Sequence, residues 1–218
     1  MKFIQCQQGS PEWHQARAGV ITASCFADAV SVLTRASGKR KAGDFSAASD
    51  KYAADLAIER ISQKPYGAPV KAWTLERGHE MERLARMAYE ARTGQMANES
   101  GLVLTEDDLF GYSTDGFVGD VGLIEIKAPV DSLIITNILD TGDVSDYMHQ
   151  MQGGMWITGR KWCDFVMYVP DLEPVNKHLY VKRIHRDDEF IDKMVPQLAA
   201  FAERVAKQEA LFRMKEAA

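Results

Sequence analysis

Up to Gly94 the apolar positions recur at helical spacing, and beyond it they alternate, so the change of period divides the chain. Ser10-Pro11-Glu12 combines a hydroxyl cap, a first-turn proline and an acid, which predicts a helix start. Thr22 is placed to cap a second short helix through Ala23, Phe26, Ala27 and Val30. Arg35 to Ser46 has no apolar period and predicts a basic loop. A helix then runs from Ser49 to Gln63, stopped by Pro65-Tyr66-Gly67. Another, from about Thr74 to Arg92, repeats Met81, Leu84, Ala85 and Ala88 and ends before Gly94.

Period-two alternation predicts short strands at Gly101–Thr105, Leu109–Ser113, Gly116–Gly119 and Gly122–Lys127. Helices return over Val130–Leu139 and Val144–Ile157. Two further strands, Cys163–Val169 and Lys177–Ile184, precede a long helix from about Arg186. Its stripe Phe190, Met194, Leu198, Phe201 and Val205 suits a core or a subunit contact. With no repeat or linker, residues 1–218 read as one α/β domain with a helical N-terminal prefix.

Composition narrows the class. The apolar fraction of 46% with 26% charged residues fits a globular chain and excludes a disordered or fibrous one. No stretch approaches the roughly 20 apolar residues of a membrane helix. The N-terminal run turns polar too soon for a secretory signal. Cys6, Cys25 and Cys163 are scattered and odd in number, which argues against a disulfide framework or a cysteine-rich metal site. The expectation is a cytoplasmic protein with no membrane partner.

The net charge of −5 is unevenly spread: +4 over residues 1–95, −10 over 96–146 and +1 over 147–218. The acidic middle is either a solvated surface or a set of carboxylates gathered around a hard divalent cation. Within it, Ser113-Thr114-Asp115-Gly116 is followed by Glu125-Ile126-Lys127. On a strand, Ile124 and Ile126 face one way while Glu125 and Lys127 face the other. If Asp115 ends the neighbouring hairpin strand, its carboxylate can meet that of Glu125 around one Mg²⁺ ion. Such an ion activates water and stabilises phosphate charge, and Lys127 orients the nucleophile. An acid two residues before a lysine is a common pair on its own, and an exposed ion pair is the bland alternative.

Further ordered segments raise the specificity. Trp13-His14-Gln15-Ala16-Arg17-Ala18-Gly19-Val20-Ile21-Thr22-Ala23-Ser24, the Gly78–Glu90 helix with Glu82, Ser113-Thr114-Asp115-Gly116, Ile124-Glu125-Ile126-Lys127 and Tyr147-Met148-His149-Gln150-Met151-Gln152 occur in that order. With them the chain resembles the phage lambda exonuclease / YqaJ-type viral recombinase family of the PD-(D/E)XK nuclease superfamily, over nearly its whole length.

That resemblance implies a restriction-endonuclease-like core, a mixed central β-sheet flanked by helices, in a single PD-(D/E)XK exonuclease domain spanning 1–218. It implies that Asp115, Glu125 and the Ile126 backbone carbonyl bind Mg²⁺, with Lys127 positioning the attacking water. Glu82 would reach a second ion directly or through water, and Mn²⁺ could substitute. The alternative for Glu82 is a helix-surface pair with Arg86. Gln150 would touch the metal–water network or DNA, against the alternative of a polar residue on a helix face. Arg17, Ser24 and Ser113 would hold a terminal 5′-phosphate, Ser24 from the first turn of the helix capped by Thr22. Arg35 could track the DNA backbone, and Leu75, beside Trp73, could splay the entering duplex; a solvated loop and plain packing are the alternatives.

The implied activity is processive 5′→3′ digestion of linear double-stranded DNA from 5′-phosphorylated ends. It leaves 3′ single-stranded overhangs for recombination by a single-strand annealing protein. A homotrimeric ring around DNA, in a bacterial or phage-encoded cytoplasmic setting, comes with it. Restriction-type endonuclease action and a catalytically idle DNA-end-binding module are the other readings. Two departures stand out. Thr114 replaces the usual proline and is expected to loosen the turn, and Gly154 stands where many superfamily members carry a tyrosine. The scattered cysteines leave no set for an iron–sulfur cluster.

Overall fold

A computed structural model describes residues 1–67 and 72–214, the side chains of 72–76 excepted. Strand β1 (Lys2–Ile4) precedes helix α1 (Pro11–Arg17), where the Ser10 hydroxyl accepts the Trp13 amide and Pro11 fills the first turn. Strand β2 (Ile21–Thr22) then leads through one 3-10 turn, Ala23–Cys25, into helix α2 (Phe26–Val30). Here the local expectation fails. Thr22 lies in a strand and its side chain caps nothing, so Ser24 sits ahead of the helix rather than in its first turn. The reason is long-range pairing: Ile21 and Thr22 run parallel to Phe110 and Gly111.

The basic segment is a loop, folded on itself by bridges between Val32 and Phe45 and between Ser37 and Arg40. Helix α3 (Ala47–Ser62) starts on a Ser46 cap, and α4 (Ala72–Thr93) follows. Five strands come next: β3 (Ala97–Asn98), β4 (Leu102–Leu104), β5 (Phe110–Tyr112), β6 (Gly116–Val118) and β7 (Gly122–Lys127). Helix α5 (Ser132–Thr141) is capped by Asp131 and ended by Gly142 in the left-handed region. Helix α6 (Met148–Thr158), strands β8 (Trp162–Tyr168) and β9 (Leu179–His185), and helix α7 (Asp188–Arg213) complete the chain.

The strands divide between two sheets, ordered β1-β4-β5-β2 and β3-β6-β7-β8-β9; the second is the expected mixed central sheet, and the first stands beside it. The hydrogen-bonded ladder of β6 stops at Gly116, so β5 is free to pair with β4 and β2 instead. In the five-stranded sheet β7 and β8 are parallel, joined by a crossover through α5 and α6, and the other pairs are antiparallel.

Strand β7 sits in the middle of that sheet, buried along all but its last residue, which suits its apolar run. Leu123 joins the larger core beneath α2, α3, α6 and α7, with Phe165 and Phe201. Ile124 and Ile126 join a second core with Ala85 and Tyr89 of α4. The alternation therefore turns Glu125 and Lys127 toward α6, as the pattern predicts.

Helix α4 is fixed to the sheet by a buried polar bond from the Tyr89 hydroxyl to Asp164 Oδ2 at 2.8 Å. Arg183 neutralises Asp164 with two bonds of 2.7 and 2.8 Å. Glu82 lies two turns earlier on the same helix face. Thr114 does not loosen its turn. Buried, its hydroxyl accepts the Gly116 amide at 3.2 Å and shares its proton between the carbonyls of Gly116 (3.0 Å) and Ile124 (3.2 Å). It thus ties the end of β6 to β7, a bond proline cannot make. Thr114→Val keeps the shape and removes these bonds, so it is expected to destabilise the fold by ~1–3 kcal/mol in denaturant titration.

Candidate active site

The β6–β7 hairpin places the two central acids. Asp115 precedes β6, and its Oδ2 accepts the Ile126 amide at 2.6 Å just beyond the last rung of the ladder. A residue's N–H and C=O leave a strand from the same edge, so the Ile126 carbonyl emerges beside Asp115. Glu125 is 2% exposed and Asp115 6%. Glu125 Oε1 accepts Lys127 Nζ at 2.8 Å and Gln150 Nε2 at 2.5 Å, and its Oε2 accepts the Tyr112 hydroxyl at 3.0 Å. Lys127 Nζ also donates to Gln150 Oε1 at 3.1 Å. Gln150, expected at the metal–water network or DNA, hydrogen-bonds both Glu125 and Lys127 directly.

Glu82 faces the same cavity, and the helix-surface alternative does not form because Arg86 pairs with Glu99. The His79 imidazole, one turn earlier on α4, places its Nδ1 3.8 Å from Glu82 Oε2. Burial raises the pKa of Glu82, and the charge of Glu125 adds to the rise. Asp115 is pushed well above the usual carboxylate range, first by burial and then by Glu125 and Glu82. Burial opposes the Lys127 charge, but Glu125 and Asp115 outweigh it and hold its pKa above the ordinary lysine value.

Three carboxylates therefore face one ammonium around a cavity of about 130 Å³. Among the described residues no three His, Cys, Asp or Glu side chains come close enough to cage an ion by themselves. The donors present are two buried carboxylates and a backbone carbonyl, with Glu82 beyond them. Such an all-oxygen, charge-deficient set fits a hard divalent cation that retains part of its water shell.

The other wall of this cavity is built by α1, β2 and β5. Arg17, in the last turn of α1, stacks over the Trp13 ring at 4.1 Å and donates to Thr22 Oγ1 at 3.2 Å. Ser24 Oγ lies 3.3 Å from that same hydroxyl. Ser113 Oγ accepts Trp13 Nε1 at 2.8 Å, which leaves its own proton for a ligand. Arg17, Ser24 and Ser113 all line the cavity with Asp115, Glu125 and Lys127. No α-helix begins at Ser24, so the helix N-terminus expected there does not form. Burial lowers the Arg17 pKa from its ordinary value.

Arg35 is exposed in the loop between α2 and α3 and does not line the cavity. The side chains of Leu75 and Trp73 lie outside the described residues. Three participants have no role in the sequence reading. Trp13 carried a usable signal, since it precedes Arg17 by one helical turn. Tyr112 and Gln8, which also lines the cavity, carried none.

Helices flanking two mixed sheets, with the acids at the end of a central hairpin, define a restriction-endonuclease-like fold. The chain belongs to the YqaJ-like viral recombinase domain family, which matches residues 12–161. It is similar to the crystal structure of the alkaline exonuclease LHK-Exo from Laribacter hongkongensis. They share 36% identity over 94% of this chain and 97% of that one, with a TM-score of 0.77. The same exonuclease in complex with dAMP superposes with a TM-score of 0.78 at the same identity and coverage. A phage-related exonuclease from Haemophilus somnus 129PT shares the fold at 16% identity and a TM-score of 0.65, over 90% of this chain and 96% of that one. No curated protein matches the chain. Among the described residues no helix is long and apolar enough to cross a membrane.

The raised Asp115 pKa has a stability consequence. With its folded pKa above the unfolded one, the contribution of Asp115 to the metal-free fold is fully present below about pH 4 and is lost as pH rises through the folded value. Asp115→Asn keeps an acceptor for the Ile126 amide but cannot ionise. It is expected to raise the thermal midpoint in chelator at pH 8, by about 2–4 °C per kcal/mol relieved, with the gain vanishing toward pH 4. Melts across that range check it, and a variant no more stable than wild type at pH 8 contradicts it.

Proposed function

We propose that this chain is a Mg²⁺-dependent, processive 5′→3′ exonuclease on linear double-stranded DNA that prefers 5′-phosphorylated ends. One observation carries the reading: the carboxylates with Lys127 and the Arg17, Ser24 and Ser113 group line a single cavity. A terminal phosphate held by Arg17, Ser24 and Ser113 leaves the next phosphodiester of that strand beside the carboxylates. Hydrolysis there releases a mononucleotide and returns a new 5′-phosphate for the next cycle. The dAMP in the LHK-Exo complex is a nucleotide of the kind that such digestion yields.

Asp115, Glu125 and the Ile126 carbonyl would hold the cation, with Glu82 joining through water or a second ion. Mg²⁺, or Mn²⁺ in its place, supplies positive charge against the phosphate and lowers the pKa of water. Lys127 donates to the attacking water and offsets charge developing on the phosphate. Gln150 holds Lys127 and Glu125 in register. Arg17 supplies a charged donor to the terminal phosphate, joined by the hydroxyls of Ser24 and Ser113. Arg35 and Leu75 are assigned to the approaching duplex, the first to its backbone and the second to strand separation. The remaining 3′ overhang is the substrate of a single-strand annealing protein, and a homotrimeric ring keeps the enzyme on its DNA in the cytoplasm.

The test uses linear duplexes with 5′-phosphate or 5′-hydroxyl ends beside a covalently closed plasmid, each with Mg²⁺ and with chelator. Mononucleotide release from linear DNA alone, faster from 5′-phosphate and abolished by chelator, is expected; nicking of the plasmid contradicts it. Arg17→Ala should cut kcat/KM on 5′-phosphate ends by about ten- to a hundredfold and so narrow the difference between the two ends. Lys127→Ala should lower kcat by about 10²–10³ on both substrates.

A further inference from the structure

We infer that Tyr112 is a positioning residue, whose hydroxyl fixes the Glu125 carboxylate in the orientation that receives the cation. The ring of Tyr112 is seated for this task on the bare face of Gly154. The inference rests on the metal-dependent nuclease reading above and names a residue that reading does not use.

The geometry is specific. Tyr112 is 1% exposed, yet its hydroxyl donates to Glu125 Oε2 at 3.0 Å. The two bonds from Lys127 and Gln150 both fall on Oε1, so they alone leave the carboxylate free to swing about that oxygen. The Tyr112 bond on Oε2 sets the carboxylate plane. Each carboxylate oxygen has two lone-pair directions, so a donor on one leaves the other for an ion.

Helix α6 makes the approach possible. A Cβ built on Gly154 would lie 2.6 Å from the Tyr112 ring, closer than carbon atoms can approach without something shifting. The ring is buried, so the clash falls on a packed side chain. Any side chain at position 154 would therefore displace it from Glu125, whereas glycine lets it pack against the helix. The φ of Gly154 is not among the positive ones, so backbone conformation does not demand glycine there.

The bond also spans the two sheets, since Tyr112 ends β5 and Glu125 lies in β7. Ser113, the next residue after Tyr112, belongs to the opposite wall of the cavity. One hydroxyl thus sets the carboxylate side of the site against the phosphate side. Packing alone would be served as well by phenylalanine, and a buried hydroxyl without a partner would cost stability.

The experiment compares wild type, Tyr112→Phe and Gly154→Ala in two measurements. One is Mn²⁺ binding to the DNA-free protein, followed by electron paramagnetic resonance of the free ion. The other is digestion rate against metal concentration. Tyr112→Phe should weaken Mn²⁺ binding by about ten- to a hundredfold, the range seen when groups that orient metal ligands are removed. Its rate should return to within about twofold of wild type at saturating metal, because the ring and the reacting groups remain. Gly154→Ala, which retains the hydroxyl but moves the ring, should weaken binding in the same direction and serves if Tyr112→Phe folds poorly. Unchanged Mn²⁺ binding in Tyr112→Phe overturns the positioning role, as does a rate that stays low at saturating metal with binding intact. Wild type that neither binds Mn²⁺ nor digests DNA overturns the nuclease reading itself, and this inference with it.

Discussion

Burying a carboxylate in the middle of a sheet costs several kcal/mol unless charge and hydrogen bonds replace the lost water. Glu125 meets that requirement from three directions, with Lys127 on its own strand, Gln150 on α6 and Tyr112 on β5. The surrounding topology follows from the need to bring these donors together. The parallel β7–β8 pair requires a crossover, and that crossover carries α6 and Gln150 over the β7 face on which Glu125 lies. Close approach of α6 in turn depends on Gly153 and Gly154, each of which faces an aromatic ring where a Cβ would clash.

Asp115 adds a second constraint. It is held by a backbone amide rather than by a cation, so its charge stays largely uncompensated within the fold. A protein selected only for stability would not gather Asp115, Glu125 and Glu82 with Lys127 as the one cation on their wall of so small a cavity. The imbalance is instead what a site for a divalent cation requires. The opposite wall has the reverse character, with Arg17 held by a ring face and a hydroxyl instead of a carboxylate. Trp13 serves both sides of that wall, stacking under Arg17 and donating to Ser113. An anion at one end and a cation at the other would complete the electrostatics of one continuous cavity.

The sequence made the long elements and the acidic constellation legible because each has a local signature. The β7 alternation separates Ile124 and Ile126 from Glu125 and Lys127, and helices α3, α4 and α7 run through enough turns to show their period. What it hid was set by distant partners. Strands β1, β2 and β3 are two or three residues long, too short for any period, and exist because β4, β5 and β6 lie beside them. For that reason Thr22 read as a cap, and the smaller sheet went unread. Thr114 read as a weakened proline because its three backbone partners appear only once β6 meets β7. Tyr112 stayed hidden for the same reason: its partner Glu125 lies on another sheet.

The central claim is that Asp115, Glu125 and the Ile126 carbonyl together hold a divalent cation. Its most direct test is anomalous diffraction from crystals soaked in Mn²⁺. A peak within coordination distance of both carboxylates and that carbonyl is the predicted result. Strong density for the ion elsewhere, with none between the acids, would contradict the account.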